Sequence, residues 1–190
     1  MNLKRAIQES IDVKKLLLND EDVIKAIQDA VQICIDGFKN GNKLYLCGNG
    51  GSAADAQHIA AELSGRFYYD RKPLPAEALH VNSSFLTAVA NDYDFDLVYS
   101  RMVEAMGEKG DLLIGISTSG NSTNVINAIE VANSKQMHTI GFTGKNGDKL
   151  VGLTDICINV PSDNVARIQE THILIGHILC EEVEKALFPK

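Results

Sequence analysis

Apolar positions in the first forty residues recur at helical spacing. Leu3, Ile7, Ile11 and Leu16 to Leu18 make one stripe, and Val23, Ile24, Ile27, Val31 and Cys34 make a second. Asn19-Asp20 between them reads as a helix start, with Glu21 and Asp22 placed where the helix dipole favours acids, and Gly41 as the stop. Beyond Gly41 short apolar runs alternate with helix-period segments. Runs at 43–47, 76–81, 111–116, 137–143 and 156–160 read as strands. Helices are expected from about 52 to 65, 85–91, 95–106, from the end of the 117–122 loop to about 134, briefly near Lys149, and over 164–187. Strands apolar throughout and separated by helices predict a parallel sheet covered on both faces. The expected fold is therefore α/β: a three-layer, doubly wound sandwich with a five-stranded parallel sheet, plus N-terminal helices. Such sheets bind ligands beyond the carboxyl ends of their strands, where the strand order reverses. Two polar loops, 48–52 and 117–122, fall at such ends.

The 190 residues favour one domain spanning 1–190. At 45% hydrophobic and 23% charged residues the chain can bury a sizeable core, yet its longest apolar run, near 112–116, is far too short for a bilayer. The N-terminus lacks the apolar block and cleavage site of a secretory signal, so a cytoplasmic protein without membrane attachment is expected. A net charge of −7 argues against broad nucleic-acid binding. It leaves room for a small phosphorylated ligand held by amides and hydroxyls. Cys34, Cys47, Cys157 and Cys180 show no C-x-x-C spacing and sit in apolar patterns, which predicts buried free thiols.

Gly48-x-Gly50-x-x-Ala53 formally matches a dinucleotide fingerprint. The acidic residue such a site needs at the end of the next strand is missing, since that strand ends Val81-Asn82-Ser83. The loop then reads either as a tight turn using glycine or as a backbone cradle with Asn49 and Ser52 near a polar ligand. Ser117-Thr118-Ser119-Gly120-Asn121-Ser122 is more specific. It puts four hydroxyls and a glycine at the mouth of a helix, where unpaired amides and the positive dipole end point. A helix cap needs one serine; four fit a phosphate monoester better. No Gly-Lys-Ser/Thr follows, so this is not a Walker loop.

His58 and Glu62, four apart after the first loop, share a helix face. Gln169 and His177 on the last helix are eight apart, which leaves their faces about 80° apart and separates them by roughly 12 Å along the axis. That is long for two ligands of one metal unless both lean inward or the partners come from different subunits. Gly176 leaves room for a close approach, and His172 points away from His177. Each pair has an ordinary alternative, a surface pair or a core histidine. Convergence near the two loops favours chemistry.

Taken together, CGNGGSAADAQHIAAELSGRF, LTAVANDYDFDLVYSRMVEAMG, GDLLIGISTSGNSTNVINAIE, GFTGKNGDKL and ARIQETHILIGHILCEEVE resemble the phosphoheptose isomerases of the sugar isomerase (SIS) domain superfamily, over nearly the whole chain. The resemblance implies interconversion of D-sedoheptulose 7-phosphate and D-glycero-D-manno-heptose 7-phosphate, the first step toward activated heptose for lipopolysaccharide or other surface glycans. It implies a homotetramer with active sites at subunit interfaces, residues 1–40 serving as a helical arm in assembly. Ser117, Thr118, Ser119 and Ser122 would hold the phosphate. Asn49, Gly50, Gly51, Ser52, Asn91, Asp92, Glu62 and Gln169 would contact the substrate. His58, Glu62, Gln169 and His177 would match the ligands of one zinc ion per subunit, and Glu62 and His177 the acid/base pair. Two alternatives stay open at this point. One is a non-catalytic SIS protein of the replication-initiator-associating kind, against which the presence of both Glu62 and His177 counts. The other is an isomerase of another sugar phosphate, since loop hydroxyls recognise phosphate and not chain length.

Overall fold

The computed structural model describes residues 2–190. Two helices, α1 (Leu3–Leu18) and α2 (Glu21–Lys39), precede an alternating series: β1 (Leu44–Gly48), α3 (Gly51–Ser64), β2 (Ala76–Ala78), α4 (Ser83–Asp92), a 3-10 turn at Phe95–Leu97, α5 (Val98–Met106), β3 (Leu112–Ile116), α6 (Thr123–Ser134), β4 (His138–Thr143), the short α7 (Asp148–Val151), β5 (Ile156–Asn159) and α8 (Val165–Leu187). Asp20 caps α2, its carboxylate accepting from the Val23 amide at 3.1 Å, as the Asn-Asp signal predicts.

All five strands are parallel, in the order β2-β1-β3-β4-β5. The chain leaves β1 toward β2 on one side and returns to β3 on the other, so the switch point lies between β1 and β3. Their register sets Gly48 beside Ile116, and the two polar loops therefore emerge side by side. Side chains alternate between two cores. Leu44, Leu46, Leu112 and Ile114 pack with apolar residues of α1, α2, α3 and α8. Tyr45, Cys47 and Leu113 pack with α4, α5, α6 and α7 on the other face. This is the three-layer sandwich expected.

Some expectations need correction. β2 has three residues rather than the six of 76–81, and Glu77 at its centre is exposed. As an edge strand it needs only one buried side, so the fully apolar pattern does not apply to it. The segment 95–106 opens as a 3-10 turn because Asp94 caps the Asp96 amide there. In α1 the stripe turns mostly outward: Val13 and Leu17 are buried, while Leu3, Ile7, Ile11, Leu16 and Leu18 are exposed in the single chain. All four thiols are free, but Cys157, on edge strand β5, is only half-buried. Burial pushes Cys34, Cys47 and Cys180 up to about 12, which leaves them as inert packing groups. No helix among the described residues is long and apolar enough to cross a membrane.

Candidate active site

α3 and α8 run side by side in the same direction. Gly51 at the start of α3 meets Gln169, and an added Cβ there would sit 2.5 Å from the Gln169 Nε2. Two turns on, Gly176 packs directly against Ile59, where any side chain would overlap the fully buried Ile59. Each contact residue adjoins a histidine, so this close approach turns His58 and His177 toward one another. Their rings lie edge to face, with centroids 5.0 Å apart. His58 Nε2 is 3.1 Å from Glu62 Oε1, and the Phe67 ring lies 5.7 Å from that of His177.

One ligand atom each from His58, Glu62 and His177 lies within 4.8 Å of the others. A tetrahedral zinc with bonds of about 2.0–2.1 Å sets its ligands roughly 3.3 Å apart, so modest side-chain rotation would close the group, and two imidazoles with a carboxylate are an ordinary zinc set. These residues fit the metal. Gln169 lies two helical turns back on α8, beside Gly51 at the first loop. His172 is also separate. It is fully buried, with Nε2 3.1 Å from the Thr143 carbonyl oxygen, and burial holds it down at about 4 despite that bond. It is a neutral strut beneath the second loop. Asp55, one turn before His58, is raised by burial, an effect that His58 partly offsets.

The second loop is ordered from within. Ser117 and Ser122 hydroxyls are 2.9 Å apart, and the Ser119 hydroxyl accepts from the Asn121 amide at 3.2 Å. Gly120 has φ +70°, and a Cβ there would run into the Gly147 carbonyl. Only glycine fits that turn. Thr118 and Ser119 line a cavity of about 210 Å³ shared with Lys145, Gly147, Ser162 and Asp163. Neither Glu62 nor His177 borders it. Ser52 is buried in the first turn of α3, while Gly50 (φ +56°) makes the turn ahead of it. Asn91 and Asp92, at the end of α4, are exposed and bond to each other at 2.8 Å.

Several residues that order the site escape sequence reasoning. Asn49 and Asn124 exchange amide hydrogen bonds, both 2.9 Å, which pins the first loop to the start of α6. The Asn49 side chain is thus tied to the scaffold. The Tyr99 hydroxyl donates to the Gly48 carbonyl from beneath. Arg71 and Glu184 form a buried ion pair at the far end of α3. None of these partners is near the other in sequence, so no spacing signals them. Lys145 was visible in the GFTGKNGDKL segment but carried no signal by itself.

The SIS domain family profile matches residues 12–144. The phosphoheptose isomerase of Aneurinibacillus thermoaerophilus is 50% identical over 98% of this chain and 94% of its own length. That of Clostridium acetobutylicum is 50% identical over 98% and 95%. The solved phosphoheptose isomerase from Neisseria gonorrhoeae superposes with a TM-score of 0.90 at 42% identity, covering 96% of this chain and 97% of its own. The one from Francisella tularensis gives 0.92 at 38% identity, covering 96% of each. With this sheet order, these loops and this likeness over almost its full length, the chain belongs to the phosphoheptose isomerase family of SIS-domain proteins.

Proposed function

We propose that this protein interconverts D-sedoheptulose 7-phosphate and D-glycero-D-manno-heptose 7-phosphate, as a cytoplasmic homotetramer. The observation that carries the reading is the convergence of His58, Glu62 and His177 from two helices onto one spot, on the α3–α8 side of a sheet whose carboxyl edge presents a hydroxyl-rich loop. Ketose-to-aldose conversion requires a proton to leave C1 and another to reach the C2 oxygen, giving an enediol. A proton is then returned to C2 as the C1 hydroxyl proton is released and the aldehyde forms. Glu62 and His177 divide these transfers, the usual work of a positioned carboxylate and imidazole. Ser117, Thr118, Ser119 and Ser122, with the amides at the head of α6, hold the phosphate and so fix the reacting carbons. Zinc bound at His58, Glu62 and His177 would stabilise the developing oxyanion as a Lewis acid.

The phosphate cavity and the acid/base trio are not continuous within one protomer, and the outer face of α1 is apolar and uncovered. Both features support a site completed by a neighbouring subunit, with Gln169 as a further candidate ligand.

The test is incubation with D-sedoheptulose 7-phosphate in deuterated water, followed by NMR in the anomeric region, with fructose 6-phosphate as control. Aldoheptose signals should appear with the heptulose only. Glu62→Gln and His177→Ala should each lower kcat at least about a hundredfold. Near-normal turnover in both variants would refute the roles given to them.

A further inference from the structure

We infer that Arg71 and Glu184 are positioning residues for the reaction, forming a buried clamp that fixes the Glu62 end of α3 against the His177 helix. The inference rests on the isomerase reading above. A helix leaves its last carbonyls unpaired, and Glu62 stands in the last turn of α3. Its C-cap, Gly65, returns one amide, to the Ala61 carbonyl. The Leu74 amide reaches the Leu63 carbonyl at 3.1 Å, and Arg71 adds several donors. Its Nη2 donates to the Glu62 carbonyl at 2.8 Å, and its Nη1 donates to the Leu63 carbonyl at 2.6 Å and to those of Gly65 and Lys72 at 3.2 Å.

The remaining donor, Nε, meets Glu184 Oε1 at 3.0 Å. Glu184 lies on α8, two turns beyond His177, and also accepts from the Phe67 amide at 3.1 Å and the Tyr68 amide at 2.8 Å. Both side chains are almost fully buried, at 2% and 1% exposure. A buried charge pair is no efficient source of stability, since desolvation offsets much of the attraction, but it fixes geometry. Here it fixes three things together: the carbonyl of Glu62, the spacing of α3 from α8, and the segment that lays Phe67 against His177. The planar guanidinium fork suits this arrangement, because it spreads five donors over three nitrogens where an ammonium holds three on one.

Arg71→Lys retains the charge opposite Glu184 and removes the fork. The expected result is a kcat lowered about tenfold to a hundredfold with KM within about twofold, the mark of misplaced reacting groups with an intact phosphate loop. A second readout does not depend on turnover. In selectively labelled protein, the imidazole signals of His58 and His177 should move while those of His80, His138 and His172 stay. Wild-type kcat, unmoved His58 and His177 signals, or displacement of all five histidines together would each overturn the clamp. If the native protein turns over no heptulose phosphate, the isomerase reading fails and the imidazole signals alone decide the clamp. Should Arg71→Lys not fold, Arg71→Met combined with Glu184→Gln removes both charges yet leaves an acceptor for the Phe67 and Tyr68 amides. The same readouts then apply to that pair.

Discussion

His172 should make the fold acid-sensitive in a way one substitution can isolate. The imidazole is fully buried beneath the second loop, and burial lowers it from 6.5 to about 4. The folded protein therefore holds it neutral where the unfolded chain would already protonate it. The stability this contributes is complete above 6.5 and is lost as pH falls from 6.5 toward 4, because the unfolded state binds the proton first. Full loss amounts to about 3 kcal/mol, and by pH 5 about 2 kcal/mol is gone. Glu184 works at lower pH. Burial would raise it, but the Tyr68 and Phe67 amides and Arg71 outweigh that and hold it below its usual value. The assay is urea unfolding at pH 7.5 and pH 5.0, with a chelator present and protein concentration fixed, since metal and assembly both shift apparent stability. His172→Gln keeps a donor of similar size, and the Thr143 carbonyl retains its bond from the Val160 amide. At pH 7.5 the variant should lose about 1 kcal/mol, the worth of one hydrogen bond. Between the two pH values it should lose about 2 kcal/mol less than the wild type. Parallel losses in both proteins would refute the argument.

Ser119→Ala should raise KM for the sugar phosphate about tenfold, the weight of a hydrogen bond to a charged group, with a smaller effect on kcat; steady-state kinetics would read it, and an unchanged KM would place the phosphate elsewhere. Gly176→Ala should gain up to about 1 kcal/mol of helix propensity but lose about 1–3 kcal/mol to overpacking against Ile59. Because that contact sets the His58–His177 spacing, kcat should fall, and Ile59→Val in the same chain should restore part of it. Sedimentation should give a tetramer, and Leu3→Glu with Ile7→Glu on the exposed face of α1 should shift it toward smaller species; a stable wild-type monomer would contradict the interface site.

Much of the fold is legible in the sequence because its determinants are local. Leu44 to Cys47 and Leu112 to Ile116 are buried on both faces, and a strand in that position can only read as a continuous apolar run. The cap at Asp20 and the glycine turns at Gly50 and Gly120 follow from rules that span a few residues. The failures occur where environment and pattern separate. β2 lies at an edge and needs no second apolar side. α1 carries an apolar stripe that its own chain does not cover, and periodicity reports that a face is apolar without reporting what covers it.

The site divides along the same line. His58 and Glu62 are readable as a pair because one helix turn joins them, and the serine loop because its hydroxyls are consecutive. What brings His177 to them is a packing event between Gly176 and Ile59, and what holds the result is Arg71 with Glu184, 113 residues apart. Asn49 shows what local reasoning leaves out: its loop position suggests a ligand, and its pairing with Asn124, 75 residues away, has no local signal. Residue types that do chemistry can therefore be picked from the sequence, whereas the groups that set their distances cannot, since a buried arginine or asparagine looks like any surface polar residue until its partner is known. Distance is nonetheless what separates an isomerase from a fold that only binds a sugar phosphate. The trio at His58, Glu62 and His177 is brought together because α3 and α8 meet closely at Gly176, and in the clamp proposed above it is held at Arg71. A relative could keep every serine of the second loop and lose this arrangement by relaxing either contact.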